Sequence, residues 1–159
     1  MAAKRRTPIA IGSTAALAAL VAGSTLLSSA SAGGGTERCF GEPASIVGVE
    51  GPQTLNGTPG KDVIVAGPGS DVINGRGGPD LICAGPGKDA VKGGGGGDKV
   101  SGDESADLLF GGGGRDKLYG RAGADRFDGD KGRDLCSGGA GGDLALGRTC
   151  EKIKGAKEV

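Results

Sequence analysis

An apolar residue recurs every nine positions through the middle of the chain: Ile64, Ile73, Ile82, Val91, Val100, Leu109, Leu118, Phe127, Cys136 and Ala145. Two residues before each stands an aspartate, giving Asp62, Asp71, Asp80, Asp89, Asp98, Asp107, Asp116, Asp125, Asp134 and Asp143 without one insertion. Two residues before each aspartate is a glycine, with Ser105 the single exception. The unit reads Gly-Gly-x-Gly-x-Asp-x-U-x, with U apolar, and residues 111–119 are a complete copy. The first six positions predict a tight turn, because only glycine enters positive φ without steric cost. The last three predict a short strand whose middle side chain faces inward. Run backwards, the register puts Leu55 and Ile46 at inward positions, with Gln53 and Ala44 where aspartate would stand. The organisation expected is an N-terminal cap with degenerate repeats over 33–56, ten repeats over 57–146, and a largely charged C-terminal cap or tail over 147–159.

Residues 1–32 carry a different pattern. Lys4, Arg5 and Arg6 precede an apolar stretch from Ile9 to Leu27 that contains no ionisable group, and small residues follow, with Ala30 and Ala32 at cleavage-type spacing. A basic region, an apolar region and small residues in that order are read as a secretory signal peptide cleaved after Ala32. A retained membrane anchor is the competing reading, since the stretch approaches spanning length. Arg5-Arg6 leaves both the general secretory and the twin-arginine routes open. The expected location is secreted, extracellular, with no membrane contact after cleavage.

Composition narrows the chemistry. With 37 Gly, 7 Pro, three Phe, one Tyr and no Trp in 159 residues, a helical bundle or doubly wound α/β domain is excluded. The absence of His removes Ser-His-Asp and Cys-His catalysis and imidazole-based zinc sites. The 19 basic and 19 acidic residues give no case for nucleic acid. Cleavage after Ala32 removes three basic residues and no acidic one, leaving 16 against 19, a net of −3.

The ten in-phase copies resemble the nonapeptide repeat of the RTX, or haemolysin-type calcium-binding, family, over about residues 57–146. With one strand and one turn per nine residues, eighteen residues complete a circuit of a two-sheet parallel β-solenoid, a β-roll. Circuits stack at about 4.8 Å. That stacking sets carboxylates in adjacent pairs: 62/80, 71/89, 80/98, 89/107, 98/116, 107/125, 116/134 and 125/143. Hard oxygen donors, charged and neutral, suit Ca²⁺, whereas Zn²⁺ would want imidazole or thiolate. The resemblance implies that each ion lies between successive turns, held by the sixth-position aspartates and turn carbonyls, with eight ions as the ceiling. The alternative is that the aspartates are turn formers that need no metal. Against it, ten in-phase carboxylates would repel one another without a cation.

Individual copies depart from the pattern. Position 5 is cationic at Lys61, Lys88, Arg115 and Arg133, where a fixed charge would compete with an ion. Position 2 is Thr58, Arg76, Asp103, Arg121 or Asp130 in five copies. The turns around Asp98 and Asp116 conform best.

Four cysteines, Cys39, Cys83, Cys136 and Cys150, allow three connectivities, and an even number in an exported chain reads as two disulfides. Cys136 and Cys150 lie fourteen residues apart, so a C-terminal staple between them is the natural choice, leaving Cys39–Cys83 to pin the N-terminal segment. This layout resembles small exported actinobacterial members of the repeat family. The function expected is a secreted calcium-binding β-roll with a structural or interaction role, a cell-surface or matrix partner and no catalysis. A metal-indifferent glycine-rich wall or matrix protein is the alternative. Ten equivalent turns offer no unique catalytic pocket.

Overall fold

The computed structural model describes residues 37–146, 150–155 and 157–158, so the expected signal peptide over 1–32 lies outside the described residues. A hairpin of β1 (Arg38–Cys39) and β2 (Glu42–Pro43) opens the chain. The solenoid follows as β3 (Ile46–Val47), β4 (Thr54–Asn56), β5 (Val63–Val65), β6 (Val72–Asn74), β7 (Leu81–Pro86), β8 (Ala90–Gly95) and β9 (Lys99–Glu104). It continues as β10 (Leu108–Gly114), β11 (Lys117–Ala122), β12 (Arg126–Gly132), β13 (Asp134–Ala140), β14 (Leu144–Ala145), β15 (Cys150–Lys154) and β16 (Lys157–Glu158). From β3 onward, odd strands form one seven-stranded sheet and even strands the other. All pairs within these sheets are parallel. No helix occurs among the described residues, and none is long and apolar enough to cross a membrane.

Register follows the repeat. Ile64 pairs with Ile82 and Ile82 with Val100 in one sheet, and Ile73 with Val91 in the other, each eighteen residues apart. The U-position side chains from Leu55 to Ala145 form one continuous buried column, joined by Ala66, Ala84 and Cys150. One inward side chain per nine residues is little apolar area for a chain that must order so many glycines. The backbone ladder and the turns must therefore carry a large share of the stability.

Three features differ from the sequence expectation. From β7 to β13 the strands run six or seven residues, because the first half of each turn also pairs with its neighbour, as Gly112 does with Gly94 and Asp130. The solenoid also exceeds ten repeats. The degenerate units supply β3 and β4, which pair in register with β5 and β6. The charged tail beyond Leu146 abandons the nine-residue period yet still adds one strand to each sheet, after a register shift at Asp134/Leu135. An uncovered sheet end presents unpaired backbone, and these strands extend the ladder over it.

Both disulfides take the pairing read from the sequence. Cys39–Cys83 has Cα atoms 5.7 Å apart and Cys136–Cys150 has 5.6 Å. The first draws the hairpin onto the outer face of the odd sheet, where Phe40 lies 6.0 Å from Tyr119 and the Lys99 ammonium sits 3.8 Å above the Phe40 ring.

Close stacking of the turns makes two adjacent glycines unequal. Gly114 has φ +141°, and a β-carbon there would collide with the Gly96 carbonyl one circuit earlier, whereas one at Gly113 meets nothing within 4 Å. Gly114→Ala should destabilise the fold by about 2–4 kcal/mol and Gly113→Ala by less than about 1 kcal/mol, read by denaturant unfolding. Equal effects at the two positions would contradict the stacked-turn geometry.

Candidate metal centre

The ten in-phase aspartates arrive where strand meets turn, and every one is buried, at 0–4 % exposure. Each is aimed inward by the backbone conformation that also points the U residue inward two positions later. From Asp71 onward their Oδ1 atoms are used by the neighbouring circuit. The Asp62 backbone N–H donates to Asp80 Oδ1 at 2.8 Å, Asp71 to Asp89 at 2.7 Å, Asp80 to Asp98 at 2.8 Å and Asp89 to Asp107 at 2.9 Å. Asp98, Asp107, Asp116 and Asp125 donate likewise to Asp116, Asp125, Asp134 and Asp143, at 2.8–3.0 Å. These links join the eight pairs expected from the sequence. Gln53, at an aspartate position of the degenerate cap, continues the file by donating its N–H to Asp71 Oδ1 at 3.0 Å.

The second oxygens are left over. Oδ2 of Asp71, Asp80, Asp89, Asp98, Asp107, Asp116, Asp125 and Asp143 is buried without a hydrogen-bond partner. An unsatisfied buried carboxylate oxygen is costly, and the same feature repeated along two files calls for an explanation. Asp62 differs: its Oδ2 accepts from the Thr58 backbone N–H at 2.6 Å and from the Thr58 hydroxyl at 3.0 Å. Thr58, a departure from the pattern, thereby satisfies the first aspartate of its file with protein atoms.

In eight of the ten turns position 1 is glycine, which makes room for these oxygens. A β-carbon at Gly75 would collide with Asp80 Oδ2 and with the Gly93 carbonyl of the next circuit. Gly93 stands in the same relation to Asp98 Oδ2 and the Gly111 carbonyl, and Gly120 to Asp125 Oδ2 and the Gly138 carbonyl. Each such cradle is bounded by a carboxylate oxygen and a turn carbonyl from different circuits. No three His, Cys, Asp or Glu side chains converge among the described residues, so any cation here would depend on backbone carbonyls beside the carboxylates. That donor set of hard oxygens, charged and neutral, fits Ca²⁺. In the turns of Asp71 and Asp89 the first position is instead a buried alanine, Ala66 and Ala84.

Burial pushes the carboxyl groups of Asp80, Asp89 and Asp116 up to about 6 and Asp107 up to about 7, against the N–H that each accepts. Charges on neighbouring aspartates raise them further. Asp98 and Asp125 are also raised, again chiefly by burial. At Lys88 and Arg115 the position-5 cation does not relieve this. Lys88 and Arg115 are exposed, and neither is among the causes acting on the adjacent Asp89 and Asp116.

One constellation was not anticipated from the sequence. Arg121 and Asp103, both at position 2 of the even-file turns and eighteen residues apart, form an ion pair at 2.9 Å, and both bond the buried Ser101 hydroxyl. Opposite charges at that spacing were the available signal. Asp103 and Ser105 also take positive φ, +74° and +77°, at positions where the pattern has glycine.

The family model for the RTX calcium-binding nonapeptide repeat (4 copies) matches residues 47–82, 84–118 and 110–145. No curated protein and no solved structure matches the chain.

The raised carboxyl groups fix a pH dependence for the metal-free chain. Their folded-state values exceed the unfolded ones, so their contribution to stability is complete below about pH 4 and is lost as pH rises through 6 to 7. In EGTA the β signal by circular dichroism should therefore fall between pH 5 and pH 8. A β signal that rises over this range would contradict the burial of these groups.

Proposed function

We propose, from the premise that this chain belongs to the RTX calcium-binding nonapeptide repeat family, that it is an exported structural or interaction protein whose β-roll folds on calcium and carries no catalytic site. The observation that carries the reading is the repeated orphaned Oδ2, buried beside a turn carbonyl of the next circuit. Asp71, Asp80, Asp89, Asp98, Asp107, Asp116, Asp125, Asp134 and Asp143 are the proposed carboxylate ligands. Asp62 joins them where an ion displaces the bonds from Thr58, and eight ions remain the ceiling.

Calcium supplies the positive charge that lets buried carboxylates stay ionised at neutral pH. The chain supplies the rest. Glycine at position 1 opens the cradle, each Oδ1 holds the register between circuits, and each turn presents its carbonyls. Because the unfolded chain lacks these sites, binding free energy is folding free energy. A metal-indifferent matrix protein would use the same Oδ1 bonds but leaves the second oxygens without a role.

Calorimetry with Ca²⁺ against Mg²⁺, alongside circular dichroism, tests the reading. Calcium should bind with affinity on the order of 10⁻⁴ to 10⁻³ M and increase the β signal, with magnesium much weaker. Asp98→Ala and Asp116→Ala should each lower the calcium stoichiometry. Unchanged stoichiometry in both variants, or no gain of β signal at millimolar calcium, would refute it. Export has its own test, since protein recovered outside the cell should begin at Gly33.

A further inference from the structure

We infer that the gap between the N-terminal cap turn and the first even-file repeat is a latent calcium site, held closed by the side chain of Gln53. The cap turn keeps glycine where the later turns have it at positions 1 and 4, as Gly48 and Gly51, and Gly51 takes φ +94°. Gln53 fills the aspartate position one circuit before Asp71, and its N–H reaches Asp71 Oδ1 as an aspartate's would. Beyond the gap β4 and β6 pair in register, Leu55 on Ile73. At position 6 the chemistry changes: a neutral amide stands in for a carboxylate.

That amide does with its own atoms what the later turns leave undone. Gln53 Nε2 donates to the Val49 carbonyl at 2.7 Å and to the Ala66 carbonyl of the next circuit at 3.3 Å, and lies 3.5 Å from the Gly51 carbonyl. Oε1 accepts the Val49 N–H at 3.1 Å, which fixes the orientation of the amide. Three carbonyl oxygens from two successive circuits thus converge on one nitrogen. A β-carbon at Gly48 would collide with the Ala66 carbonyl and with Gln53 Nε2, just as one at Gly75 would with the Gly93 carbonyl and Asp80 Oδ2. Nε2 therefore stands where Asp80 places its second oxygen.

The sign of the contact is reversed between the two places. An amide N–H attracts a carbonyl oxygen, whereas a carboxylate oxygen can only accept and repels it. Oxygens facing one another need a cation between them, and an N–H facing them does not. The inference rests on the calcium reading of the later gaps and says where the ions stop. It also gives that end of the stack a metal-free tie, since Gln53 joins the cap to the first repeat with protein atoms alone. A carboxylate at position 53 would extend the eight aspartate pairs by one, 53/71, over carbonyls that already converge.

The test titrates the full chain with Ca²⁺ by calorimetry, with circular dichroism on the same samples. Gln53→Asp should raise the number of calcium ions bound by one. Gln53→Asp/Val49→Gly, which also places glycine at position 2 of the cap turn, is the second variant and should gain the same ion. Gln53→Ala should leave the number unchanged and shift the appearance of the β signal to higher calcium, because the cap loses its tie without gaining a ligand. Calcium binding by the parent chain with no added ion in either aspartate variant overturns this inference alone. So does a lower number in Gln53→Ala, which would make Gln53 Oε1 a ligand in the parent chain. A parent chain that binds no calcium overturns the calcium reading, and this inference with it.

Discussion

A carboxylate that accepts a backbone N–H from the circuit before it is the interaction on which the solenoid rests. It fixes register between turns, where strand pairing alone is weakest, and it does so from inside the wall. Inside placement has two costs. In eight of the ten turns a position-1 glycine stands aside for the second oxygen, with Ala66 and Ala84 in the other two, and that oxygen is left without a hydrogen-bond partner in most turns. The same bond that aligns the stack thus creates the feature that a cation would complete. Glycine content, buried acid and metal preference are one problem seen three ways.

The central solenoid was legible in the sequence because its constraints repeat. Asp98 and Asp116 are paired in space since eighteen residues separate them, and the same arithmetic applies to every neighbour in the two files. Cys136 and Cys150 were near enough in sequence to suggest their bond, which left Cys39 and Cys83. What could not be read depends on side chains that occur once. Thr58 satisfies Asp62 by a local geometry that no period encodes. Phe40 reaches Tyr119 only because the hairpin is drawn across the sheet, a path decided by a bond to Cys83. The terminal strands escaped notice because β15 and β16 pair without any apolar period of nine.

Departures from the glycine pattern run from Thr58 to Asp130, and one group of them is compensated by side chains. Asp103, Ser105 and Arg121 break the glycine pattern in adjacent even-file turns, and Asp103 and Arg121 compensate with a mutual ion pair around a buried hydroxyl. Circuits there are tied from outside by side chains as well as from inside by aspartates. The middle of the solenoid therefore has a connection between turns that is independent of any cation.

The two disulfides lie near opposite ends of the stack. In a linear array where each circuit touches only its neighbours, disorder enters at the ends and travels inward one unit at a time. Here one end is clasped by a hairpin bonded to Cys83, and the other by a strand bonded to Cys136. Fraying is blocked at both entrances. The array is a zipper with a clasp at each end, and the circuits between Cys83 and Cys136 are shielded from unravelling in from either terminus.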